Sequence, residues 1–132
     1  KYSCGDEHSL RREPAVPFAL SFERIAKAHV LLNVSPIFNR GMHDRVPAGM
    51  ANHAVVLTDE NPYLRRTFTD GKELLFYSLE KPDTLCEQAE RTLTDVRLRE
   101  KIAASAYETF EREYTWKRRA EQILAFAEEV EA

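Results

Sequence analysis

Two apolar runs, Val30-Leu31-Leu32-Asn33-Val34 and Ala54-Val55-Val56-Leu57-Thr58, flank a polar stretch that contains Pro47. Runs this short and this continuously apolar suit strands buried on both faces, as in a parallel sheet covered by helices. Proline has no N–H and is tolerated only in the first turn of a helix, so a helix between the runs must start near His43 or Asp44. The order is then strand, polar loop, helix, strand. In a parallel α/β sheet it sets Gly41 to Arg45 at the carboxyl edge, where ligands commonly bind.

That helix start admits two readings. Its first N–H groups lack intrahelical partners and the helix dipole adds partial positive charge, which together suit a phosphate, with His43 and Arg45 adding to it. The plainer alternative is an ordinary helix start, with Asp44 favourable to the dipole and Arg45 in a solvated ion pair. Thr58, Asp59, Glu60 and Asn61 follow the second run and face the same crevice in this topology. Carboxylates and amides there could satisfy sugar hydroxyls, or Asn61 could cap the next helix beside plain surface charge.

Elsewhere the pattern predicts a helix over about residues 18–28, from the spacing of Phe18, Phe22, Ile25 and Ala26, and a short helix or turn from Asn61-Pro62. Asp70-Gly71 reads as a turn and Glu73–Tyr77 as a third strand. Three helices follow, at about Pro82–Leu93, Val96–Glu113 and Trp116–Glu129, with Asp95 and Thr115 as caps. Leu98, Ile102, Ala106 and Phe110 form one apolar stripe, and Trp116, Ala120, Ile123 and Ala127 another; both read as packing faces. The fold class expected is α/β: a partial Rossmann-like α/β/α arrangement with about three parallel strands and a helical C-terminal third.

Several functions are disfavoured. The 19 basic residues are dispersed in a chain of net charge −3, which leaves no footprint for nucleic acid. Lys117-Arg118-Arg119, the longest basic cluster, is balanced by Glu121, Glu128 and Glu129 and reads as a solvated face. No serine-nucleophile elbow or Walker phosphate loop is present. His43 and Asp44 lack a third metal ligand at suitable spacing, and His29 and His53, at strand edges, read as structural or exposed rather than catalytic. Two cysteines, Cys4 and Cys86, are too few and too far apart for a disulfide scaffold; as free thiols they fit a reducing compartment. With no run of membrane-spanning length and no visible signal peptide, the expected location is cytoplasmic.

The residues also carry a resemblance. Ser21-Phe22-Glu23, Val30 through Pro36, Phe38, Gly41, His43-Asp44-Arg45, Met50-Ala51-Asn52, Ala54 through Asp59 and Tyr63-Leu64 resemble the nucleotide-binding half of group 1 glycosyltransferases. The likeness is strongest to the spore-maturation, CgeB-like branch. Phe68, Asp70 through Tyr77, Ile102-Ala103, Ala106-Tyr107, Thr115-Trp116 and Arg119-Ala120 through Ile123-Leu124 continue it, so that it spans about residues 17–126. Two positions depart: Ala48 stands where these enzymes commonly carry a ribose-binding glutamate, and His53 where they have glycine.

The resemblance implies a partial donor-binding domain of a GT-B glycosyltransferase over residues 17–132, after a polar lead-in at 1–16. It implies a nucleotide-diphosphate sugar as donor substrate, no separate cofactor or metal, and an upstream acceptor-binding domain, because 132 residues are about half of what such an enzyme needs. Gly41, His43, Arg45, Thr58, Asp59, Glu60 and Asn61 are the substrate-binding candidates, and a fragment alone is expected to be inactive. Two other classes compete: a non-catalytic nucleotide-sugar-binding module, and a protein-interaction domain whose apolar helices pair with a partner. A sheet lacking its opening strands would also leave an edge that favours a homodimer.

Overall fold

The computed structural model describes residues 14–131. The elements run α1 (Phe18–Ile25), β1 (Val30–Asn33), α2 (Arg45–Ala51), β2 (Val55–Asp59), α3 (Pro62–Thr67), β3 (Leu75–Tyr77), α4 (Asp83–Thr94), α5 (Val96–Glu113) and α6 (Trp116–Glu131). The three strands form a parallel sheet in the order β1-β2-β3, with Val30 opposite Val55 and Leu57 opposite Leu75. Parallel pairing follows from the connections: each strand is returned to the same end by a loop and a helix, which a hairpin cannot do. The expected lead-in falls mostly outside the described residues, together with Cys4 and His8.

Helices cover both faces. On one, Val46 and Met50 of α2, Leu64 of α3 and Ala106 of α5 close over Val56 and Phe76, with Phe68 and Leu74 beside them. On the other, Val55, Leu57, Leu75 and Tyr77 meet Ile102 and Ala103 of α5, with Leu85 and Ala89 of α4 packed alongside. Alternate residues of β2 thus enter different cores, and all five of its residues are buried. Helix α5 serves both layers, its first half on one face and its second half on the other.

The seating of α2 depends on Gly49. A Cβ at this position would stand 2.6 Å from Val56 Cγ2 and 2.9 Å from Leu31 Cδ2, so only hydrogen lets the helix lie this close to the sheet. The caps follow the sequence closely. Asn61 Oδ1 accepts from Leu64 N at 2.7 Å, Asp95 Oδ1 from Leu98 N at 3.0 Å, and Thr115 Oγ1 from Arg118 N at 3.2 Å.

Some expectations are corrected. Helix α1 stops at Ile25 because the chain tightens there, with Lys27 N bonding Arg24 O and Ala28 N bonding Ile25 O. Strand β3 is Leu75–Tyr77 rather than Glu73–Tyr77, because Glu73 turns back to accept from Thr69 N at 2.9 Å. The stripe of Leu98, Ile102, Ala106 and Phe110 packs as expected, whereas Trp116, Ala120, Ile123 and Ala127 are exposed. Cys86 of α4 is disulfide-bonded, which overturns the free-thiol reading at that position and removes the thiol argument for a reducing compartment. Distance along a sequence does not limit which residues meet once helices fold back.

Candidate functional site

The carboxyl ends of the three strands are joined by one polar network, and Asn33 is its hub. Fully buried at the end of β1, Asn33 donates from Nδ2 to Thr58 Oγ1 at 2.9 Å. Its Oδ1 accepts from Arg45 Nε at 3.0 Å, and more weakly from Ser35 Oγ at 3.4 Å. Its backbone carbonyl accepts from the Tyr77 hydroxyl at 3.1 Å, which links β1 to β3 across the end of β2. The buried Asp59 carboxylate accepts from Ser35 N at 2.8 Å. Burial, and secondly the Asp59 charge, push the Tyr77 hydroxyl up to about 12, so it is a neutral donor at physiological pH.

Arg45 reaches from α2 into this network. Besides Asn33, its Nη2 donates to Val34 O at 3.2 Å, so two of its three nitrogens are fixed to the end of β1. The remaining nitrogen, Nη1, has no acceptor among the described residues. His43 organises the backbone next to it. Its Nδ1 accepts from Arg45 N at 3.2 Å and also touches the Asp44 carboxylate, two contacts that demand opposite protonation of that nitrogen. In either state Nε2 is left over.

The structure therefore sorts the seven candidates. Gly41 and His43 lie on the loop into α2 and Arg45 is the first residue of that helix, with Gly41 beside the Phe38 ring, where a Cβ would stand 3.1 Å from Cε1. Thr58, Asp59 and Asn61 are buried, and each is engaged within the chain: Thr58 with Asn33, Asp59 with Ser35, and Asn61 with Leu64 N and with Phe38 O at 3.1 Å. Glu60 is exposed and paired with Arg65, whose guanidinium lies 4.2 Å from the centre of the Phe76 ring. The expected unpartnered amides of α2 are largely satisfied. Val46 N bonds His43 O, Ala48 N bonds Asp44 O, Arg45 N bonds the His43 ring, and Pro47 has no N–H.

Asn33, Ser35 and Tyr77 were missed as participants. The signal for Asn33 was present, a lone amide in an apolar strand, but its partners come from two other elements.

At the opposite, amino edge a cleft of about 240 Å³ is lined by His29, His53, Arg99, Glu100, Ala103 and Ala104. Both histidines are exposed, and the His53 ring stacks on Tyr107 at 4.1 Å. His53 has φ 56, the left-handed conformation that costs an L-residue about 1–2 kcal/mol and glycine almost nothing. Among the described residues no group of three His, Cys, Asp or Glu side chains is arranged to hold a metal ion.

Comparison with known proteins decides the family. The sequence profile described as "Glycosyl transferase-like" matches residues 4–125. The chain belongs to the glycosyl transferase-like family. No curated protein matches the chain. In this glycosyl transferase-like domain the parallel sheet and its flanking helices form the matched region, including the whole carboxyl-edge network. The left-handed backbone at His53 is one that glycine would adopt at almost no cost. No helix is long and apolar enough to cross a membrane among the described residues.

Proposed function

We propose that this chain is the donor-binding part of a glycosyltransferase of the GT-B, CgeB-like type, and that it holds the diphosphate of a nucleotide sugar at the carboxyl edge of the sheet. The observation that carries this reading is Arg45: a guanidinium fixed by Asn33 Oδ1 and Val34 O, with Nη1 left without an acceptor among the described residues. A fixed cation there offers preorganised stabilisation to the charge that develops on a departing diphosphate. His43 adds a hydrogen-bond donor through Nε2. Because the α2 amides are already engaged, the side chains rather than the helix start would carry the anion. Ala48 has no carboxylate for a ribose hydroxyl, so ribose recognition falls to other residues. The buried Thr58, Asp59 and Asn61 hold the edge in shape, and Gly41 and Glu60 line its rim.

Titration with uridine or guanosine diphosphate, followed through the amide resonances of Met42–Val46, tests the reading. A charge-assisted hydrogen bond is worth about 1.5–3 kcal/mol, so Arg45→Ala should weaken binding about ten- to a hundredfold. His43→Ala should cost less. Equal affinity in wild type and Arg45→Ala, with the fold intact by its amide spectrum, removes the phosphate role. Absence of binding to either nucleotide at millimolar concentration removes the donor-binding reading.

A further inference from the structure

The cleft at the amino edge of the sheet lies between two strand starts and a helix. Strands β1 and β2 begin side by side there, with Val55 N bonding His29 O at 3.0 Å, so the residues leading into them, His29 and His53, stand at one rim. Helix α5 crosses the same rim with Ala103 and Ala104, whose side chains end at Cβ and leave a space of about 240 Å³ open. That volume lies below the roughly 300–1,000 Å³ of sites for drug-sized ligands, so the cleft suits a smaller molecule.

Its charged groups are held in place but not used up. Arg99 Nη1 donates to the carbonyls of Thr92 and Leu93, each at 3.3 Å, which ties the guanidinium to the end of α4 and leaves Nε and Nη2 without an acceptor among the described residues. The His53 ring is held by its stack on Tyr107 at 4.1 Å, and the Tyr107 hydroxyl in turn donates to Glu111 Oε1 at 2.7 Å. Neither His29 nor His53 hydrogen-bonds through its ring to another described residue. Each imidazole carries at least one N–H in either protonation state. Glu100 lines the same space, yet among the described residues it pairs neither with Arg99 nor with either histidine. A simple anion in the cleft would face the Glu100 carboxylate, and a simple cation the Arg99 guanidinium. A ligand that carries both charges answers both groups.

We propose that the amino-edge cleft binds a small zwitterion of the free amino acid class, its carboxylate taken by Arg99 and the histidine N–H groups and its ammonium by Glu100. The site lies at the end of the strands opposite Arg45 and is independent of donor binding. The stacked His53 and the tethered Arg99 are ordered before the ligand arrives, so little side-chain freedom is lost on binding.

Titration with the common free L-amino acids at millimolar concentration, followed through the ring C–H resonances of His29 and His53, tests the proposal. At least one amino acid should shift both sets of signals and saturate. Its N-acetyl derivative, which lacks the ammonium, and its primary amide, which lacks the carboxylate, should each bind about tenfold more weakly, the scale of one charge-assisted hydrogen bond. Glu100→Gln, at an exposed position, should erase the difference between the amino acid and its N-acetyl derivative while keeping the difference from the amide. Ala104→Leu, at an exposed helix position where leucine is nearly as favourable as alanine, fills the space and should abolish the shifts with the amide spectrum otherwise intact. No saturable shift with any amino acid, an N-acetyl derivative that binds the wild type as tightly as its parent, or unchanged binding in Ala104→Leu overturns the proposal.

Discussion

Replacing Asn33 with alanine tests whether the carboxyl edge is held by one hub. Besides a weak 3.4 Å contact from Ser35 Oγ, the side chain makes one bond to a neutral hydroxyl, Thr58 Oγ1 at 2.9 Å, and one from a guanidinium, Arg45 Nε at 3.0 Å. A neutral bond contributes about 1 kcal/mol and a charge-assisted one about 1.5–3 kcal/mol. Arg45 is only half-buried and regains water when released, which sets its share near the lower end. Thr58 is fully buried, and its hydroxyl keeps only the 3.3 Å contact with Asp59 O. Together the loss comes to about 2.5–4 kcal/mol, or about 10–15 °C in Tm for a domain of this size. Urea unfolding should show a lower midpoint at an unchanged slope. A double-mutant cycle with Arg45→Ala should return a coupling of about 1–2 kcal/mol, since the two residues share a bond. A loss below about 1 kcal/mol for Asn33→Ala, or additive single mutants, would refute the hub.

Two further outcomes follow from packing and from protonation. Gly49→Ala forces Val56 and Leu31 to move; the overpacking cost of about 1–3 kcal/mol outweighs the roughly 1 kcal/mol gained in helix propensity, so thermal unfolding should show net loss, and a stabilised variant would contradict the close seating of α2. Tyr77, raised to about 12 in the folded chain against about 10 when unfolded, stabilises fully below pH 10 and loses that contribution as pH rises from about 10 to 12, because the unfolded chain ionises first. Tyr77→Phe should therefore flatten the alkaline decline between those values while costing about 1 kcal/mol at neutral pH, and an identical decline in both proteins would count against Tyr77 as its source.

The legible part of the sequence was the part governed by local rules. Val96–Glu113 could be bounded to the residue because Asp95 caps its start and the apolar period is sustained, and the order and parallel pairing of the strands followed from Pro47 and two continuous apolar runs. What local rules could not supply was the company each residue keeps. Thr58, Asp59 and Asn61 lie at the edge where the pattern put them, yet they turn inward, because buried polar groups must find partners and β1 and the loop after it offered them. The stripe of α6 is as periodic as that of α5, but periodicity says only that a helix has an apolar side; what covers that side is fixed by tertiary geometry. Cys86 teaches the same lesson for a thiol.

Helix α5 places Ile102 and Ala103 in one apolar layer and Ala106 in the other, passing the amino edge between them beside His29 and His53. A helix laid across the rim in this way is a clasp. Neither layer can loosen without pulling on the same rod, so the two cores melt as a single cooperative unit rather than in turn.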